Sequence, residues 1–231
     1  MEKILNKKFL SQWIDALKSY PIFGPVKTED KWTFELIETA SDIDLDYTNS
    51  TVPPKKIVFP QKEVLLNFYG NEVKETIEKQ KTSIIMGIRP CDAKAFTDLD
   101  RVFMSDIKDP YYEERRNKVV LIGLTCNTPP SKNCFCTLVG NAQNSTQGLD
   151  VMLTDLGESY HIKAVTPKGE KLLEETKQCF QDINEECQSK VEELHKKLSQ
   201  EAEQNKIAQA CDIAKKTREK FSTHSFWSRS E

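Results

Sequence analysis

The chain has 231 residues, 30% of them charged and 38% hydrophobic, with a formal net charge of −3. That length holds one good core with an appendage, or two small domains; the intermixed Lys, Arg, Asp and Glu exclude the clustered basic face of a nucleic-acid binder, and no apolar run approaches the ~20 residues that span a bilayer. The N-terminal stretch Met1 to Lys8 lacks the apolar core of a secretory signal, so a cytoplasmic location is expected, and the seven cysteines are expected as metal ligands, redox groups or buried small side chains and not as disulfides.

In chain order, Phe9, Trp13, Ile14 and Leu17 recur at helical spacing, and Tyr20-Pro21 with Gly24-Pro25 ends that first helix. Trp32, Phe34 and Leu36 alternate with Lys31, Thr33 and Glu35, the pattern of a half-buried strand. Residues 41–50 are polar and read as a loop. The prolines of Thr51 to Lys56 keep that segment extended, and Ile57-Val58-Phe59 reads as a strand entrance. Val64, Leu65, Phe68, Val73 and Ile77 predict helix over 61–79, with a break at Gly70.

Two short apolar runs follow, Ile84 to Ile88 and Val119 to Leu124. They are continuous and rich in branched residues, as strands buried on both faces are in parallel sheets. Between them, Ala95, Phe96, Leu99, Val102 and Phe103 mark a crossover helix over 93–103, and Asp109-Pro110 is a helix start with Asp as cap and Pro in the first position. A βαβ-like unit of this kind lays its strands parallel, so Cys91 and Cys126, each just past a strand, emerge at the same edge, where open α/β sheets place ligands. After Cys136 a loop runs to Gly148. Residues 151–154 and 160–165 then read as a hairpin, and Phe180, Ile183, Cys187, Val191, Leu194 and Leu198 form one apolar stripe on one long helix or two consecutive ones. There is no internal repeat, and the tail 222–231 carries Phe226 and Trp227 with no closing element. The expected architecture is α/β (α+β mixed): an open, partly parallel sheet flanked by helices over 1–165, followed by a long C-terminal helical segment and tail over 166–231.

The chemistry concentrates in Cys91, Cys126, Cys134 and Cys136. Three cysteines within eleven positions beside Pro129 and Pro130 are not a core pattern, whereas Cys179, Cys187 and Cys211 lie in helical sequence and read as structural. Soft thiolates with no histidine close in sequence favour zinc or an iron–sulfur cluster over hard metals. The spacing matches neither a zinc ribbon nor a bacterial ferredoxin run, so pattern leaves both open. A catalytic thiol needs a base; among His161, His195 and His224 no nucleophile–base pair is visible, and no catalytic residue is assigned.

Gly87-Ile88-Arg89-Pro90-Cys91-Asp92-Ala93, Leu99-Asp100-Arg101-Val102-Phe103, Asp109-Pro110-Tyr111-Tyr112, Arg115-Arg116, Cys126-Asn127-Thr128-Pro129, Cys134-Phe135-Cys136 and Leu153-Thr154-Asp155-Leu156-Gly157 stand in a fixed order. Together with Thr51 to Lys56, Phe59-Pro60 and Glu63, this set resembles the family of iron–sulfur subunits found in sulfhydrogenases, as their beta subunit, and in anaerobic sulfite reductases. The likeness is strong over about 45–165 and weak in the helical region. It implies a non-catalytic electron-transfer subunit of an oxidoreductase complex. Such a subunit works between a flavin-containing, NAD(P)H-reactive partner and a catalytic subunit of hydrogenase or sulfite-reductase type. It also implies one [4Fe-4S] cluster on Cys91, Cys126, Cys134 and Cys136; for Arg89 and Asp92, which flank the first ligand, two readings stand, tuning of the cluster through charge and hydrogen bonds or a plain surface pair. Members of that family continue past a Phe-Trp stretch like Phe221 to Trp227 into a ferredoxin-type domain. Here the sequence stops at Glu231, so that portion is expected as a separate ferredoxin-like chain or as lost by truncation. The alternative is a zinc-stabilised or metal-free scaffold of a redox complex that docks its partners through the long helix.

Overall fold

The structure is a computed structural model that describes residues 1–77, 79–131 and 133–223, and only the backbone for 205–214 and 218–223. Among the described residues nine strands and five α-helices follow one another: β1 (Glu2–Asn6), α1 (Leu10–Ala16), β2 (Ile22–Thr28), β3 (Lys31–Leu36), β4 (Leu66–Tyr69), β5 (Glu72–Glu75), β6 (Ser83–Ile88), α2 (Pro90–Phe103), α3 (Pro110–Asn117), β7 (Val119–Leu124), β8 (Val151–Asp155), β9 (Ser159–Ala164), α4 (Pro167–Glu175) and α5 (Glu185–Thr223). Seven strands make one sheet in the order β1-β9-β8-β7-β6-β2-β3, and β4 with β5 makes a separate hairpin. The centre β2-β6-β7-β8 is parallel, while β3 and β9 run antiparallel to their neighbours. The mixed sheet and the long C-terminal helix are those the sequence predicts.

Period-two alternation sorts the core. Ile84 and Met86 of β6 join Trp13, Ile14, Leu172 and Leu173 on the face covered by α1 and α4, and Ile85 joins Phe96 and Tyr112 on the face covered by α2 and α3. Helices on both faces thus bury the whole of β6, whose Ile84, Ile85, Met86 and Ile88 are each 0% exposed and each worth roughly 1.5–3 kcal/mol of transfer free energy. Ile88 falls on the α2/α3 face, out of step with Ile84 and Met86, because the register against β7 shifts between Met86 and Ile88. Gly87 lies at that shift with φ +83, a conformation open to glycine at low cost.

Several local expectations are corrected. Among the described residues of 61–79 there is no helix: Gly70, at φ +63, turns β4 back on β5 in register Tyr69↔Glu72. The apolar spacing that imitates a helix there belongs to a hairpin projecting from the core, with Phe68 and Tyr69 exposed. The strand entrance at Ile57 is instead the end of a 3₁₀ turn, Pro54–Ile57, where Pro54 pre-sets φ at the first position. Strands β1 and β2 escape the sequence pattern. In β2, Gly24-Pro25 reads as a breaker, yet Pro25 sits in the ladder opposite Phe34. The edge of β1 is closed by Gln181, which exchanges backbone hydrogen bonds of 2.9 Å with Ile4. Phe180 and Ile183 of the predicted stripe precede α5, and Asn184 Oδ1 accepts from Cys187 N at 2.8 Å to start that helix; among its described side chains Val191 and Leu198 are buried. The side chain of Cys211 and the tail 224–231 lie outside the described residues.

Candidate functional site

Parallel pairing of β6 with β7 and of β7 with β8 brings three strand ends out at one edge of the sheet. Cys91 follows β6 by three residues and occupies the first turn of α2, not a loop: Pro90 takes the first helical position, where a missing N–H costs nothing. Cys126 follows β7 by two, and its thiol donates to Thr128 O at 3.3 Å. Cys134 and Cys136 belong to the turn-rich segment that returns towards β8, where Cys134 N donates to Ser131 O and Leu138 N to Phe135 O. Cys91 is exposed and the other three are half-buried, and no disulfide forms among the described cysteines.

The four sulfurs share one electrostatic neighbourhood. The Cys91 thiol is pushed up, first by the protein around it and then by the negative groups of Asp92, Cys136 and Cys126. Its exposure softens the burial effect, so its charged neighbours are the firmer cause. Cys126 is pushed up by burial, pulled down by Arg89, and pushed up again by Cys134 and Cys136. Cys136 is raised by burial and by Cys134. Asp92 rises to about 6 through burial, opposed by Lys55 and Arg89. Thiols so arranged resist ionising together unless a cation joins them, which is the demand a bound metal meets. All donors are sulfur and no histidine intervenes, a set that fits iron–sulfur or zinc. The four do not converge: among the described residues no three His, Cys, Asp or Glu are placed to hold a metal ion.

Arg89 ties the edge together. Its Nη1 donates to Thr125 O at 2.9 Å, its Nη2 donates to Tyr47 O, and its guanidinium lies 4.5 Å from the centre of the Tyr47 ring. Tyr47, fully buried, donates to Gly87 O at 2.8 Å, so one tyrosine pins both the strand shift before Cys91 and the cation beside Cys126. Arg89 Nε is buried without a partner.

Three more side chains contribute. Asn127 Nδ2 donates to Asp155 O at 2.8 Å, Asn141 Nδ2 to Pro90 O at 2.9 Å, and Gln143 Nε2 to Cys126 O at 3.2 Å. Asn127 stands in the Cys126-Asn127-Thr128-Pro129 motif, whereas Asn141 and Gln143 lie in a Gly-, Asn- and Ser-containing stretch that looks like any solvated loop, so no pattern singles those two out. Tyr47 did leave a signal, as a lone aromatic in an acidic loop.

No family model and no solved structure matches the chain. Among curated proteins it is 28% identical over 194 residues to sulfhydrogenase 2 subunit beta of Pyrococcus furiosus, a match covering 84% of this chain. The chain spans 57% of that protein's length. The match makes the chain similar to a sulfhydrogenase beta subunit over most of its own length.

Proposed function

We propose that the chain is an electron-transfer subunit of a redox complex that carries one [4Fe-4S] cluster on Cys91, Cys126, Cys134 and Cys136. It relays electrons between a flavin- and NAD(P)H-reactive partner and a catalytic subunit of hydrogenase or sulfite-reductase type, with a ferredoxin-like portion as the further carrier. The observation that carries it is the emergence of Cys91 and Cys126 at one sheet edge, each within electrostatic reach of Cys136 and Cys126 also of Cys134, with no histidine among the four. The likeness to a hydrogenase beta chain agrees with it. A bound cluster takes up and returns one electron at a time. The protein's part is to hold the thiolates, keep a fixed positive charge at Arg89 beside Cys126, and set the local field through Arg89 and Asp92. Residues 1–165 are the cluster-bearing unit in this reading. Residues 166–231 are the helical extension and tail in this reading, and α4 is anchored through Leu172 and Leu173 in the core.

The competing reading is a zinc-stabilised or metal-free scaffold, since an all-sulfur set suits zinc equally. Purification without oxygen separates the two. The redox reading predicts brown protein with about four irons and four sulfides per chain; colourless protein holding zinc, or no metal, contradicts it.

A further inference from the structure

Asn141 and Gln143 are 8% and 3% exposed, and both amides spend their donor half on the peptide of a thiol. Asn141 Nδ2 donates at 2.9 Å to Pro90 O, the carbonyl of the Pro90–Cys91 peptide bond, while Asn141 N donates at 3.0 Å to Cys136 O. Gln143 Nε2 donates at 3.2 Å to Cys126 O, and Cys126 N donates at 3.0 Å to Gln143 O. One three-residue strip thus holds the backbones of Cys91, Cys126 and Cys136, which come from α2, the end of β7 and the 131–139 turns. The acceptor halves, Asn141 Oδ1 and Gln143 Oε1, are buried with no partner.

An unmet buried acceptor costs stability, and such costs collect where function keeps them. Removing either amide trades one orphan for another, because the carbonyl it served loses its donor while the stranded oxygen disappears. By that exchange the side chains contribute little net to folding. What they do supply is the spacing between the sheet-borne thiols and the loop-borne one.

We propose that Asn141 and Gln143 are positioning residues of the thiol site, a two-amide staple that fixes Cys91, Cys126 and Cys136 relative to one another. It rests on the four-thiol reading above for what the thiols bind, and on the hydrogen bonds alone for their being held. The staple acts through the backbone beside the thiols.

The test uses the full chain, reduced and metal-free, with the near-isosteric double variant Asn141→Leu/Gln143→Met. Dibromobimane bridges thiols a few ångströms apart, and peptide mass spectrometry reads which are joined. Wild type is expected to bridge Cys91 to Cys126 or Cys136, and the variant to do so several-fold less while melting cooperatively near the wild-type temperature. After loading with Fe²⁺ and sulfide, the variant should hold iron about 10–100-fold more weakly against a chelator, the usual cost of losing an outer-shell partner. Equal bridging and equal iron retention overturn the proposal. So does a wild type that fails to bridge, and so does a double variant without a cooperative melt, which would make the amides scaffold. Wild type that takes up no iron, with bridging still lost in the variant, sinks the cluster reading and supports the staple.

Discussion

Arg89 shows how one side chain joins a fold to a site. Its two committed amino groups close the Tyr47 loop onto the end of β7, and the same positive charge draws Cys126 towards its thiolate against burial. His161 offers a residue-scale test away from that edge. Its side chain is 3% exposed, its Nε2 lies 3.4 Å from Glu2 Oε2, and its Nδ1 has no partner. Burial pushes its pKa below the ordinary 6.5, and Glu2 only partly restores it; the groups facing it are Glu2 of β1, Lys163 of β9 and His195 of α5, itself lowered by burial. The folded state therefore binds fewer protons than the unfolded state below pH 6.5, so stability is full above that pH and falls as pH drops towards the folded value. Glu2, lowered from 4.5, adds its loss only below that pH. Wild type should lose more melting temperature than His161→Gln between pH 7 and pH 5; parallel curves would contradict this. Neither His161 nor Arg89 announces its role by residue type. The emergence of Cys91 and Cys126 at one sheet edge was legible because each cysteine follows an apolar run of a parallel strand, whereas the amides at 141 and 143 were not, because their contribution lies only in which carbonyl they reach.

At the scale of elements, the shift at Gly87 decides how β6 hands the chain to α2. A Cβ there would lie 2.7 Å from Leu45 Cδ2 and 3.3 Å from Pro25 Cδ, on a backbone at φ +83. Gly87→Ala should lower stability by about 1–2 kcal/mol for the left-handed conformation alone, read as a lower urea midpoint at unchanged slope. An unchanged midpoint would contradict the shifted register. Buried parallel strands were legible because β6 and β7 need apolar residues on both faces, and α3 because Asp109 caps it, accepting from Tyr111 N and Tyr112 N at 2.9 Å. Strand β2 was hidden by Gly24-Pro25, which punctuate most sequences yet here serve a ladder with β3. The β4–β5 hairpin was hidden because Val64, Leu65, Phe68, Val73 and Ile77 keep helical spacing by accident. They are exposed or nearly so in the structure and under no core constraint of period.

For the whole molecule, the sheet is closed at both edges by antiparallel strands, and its parallel centre opens at one end onto the thiols. The segment leading to α5 closes on the first helix: Trp13 Nε1 donates to Thr176 Oγ1 at 3.1 Å, and the Trp13 and Phe180 rings meet edge-on at 5.4 Å. No helix among the described residues is long and apolar enough to cross a membrane. Two layers of helices leave one edge free for chemistry, and hydrogen bonds from the strip at 141–143 reach the backbone at Pro90, Cys126 and Cys136 of that edge. The most direct measurement is iron and acid-labile sulfide per chain, prepared without oxygen, across single serine variants. About four irons are predicted in wild type, Cys179→Ser and Cys187→Ser, with loss in Cys91→Ser, Cys126→Ser, Cys134→Ser and Cys136→Ser. Iron kept by all four of the latter, or absent from wild type, would contradict the account.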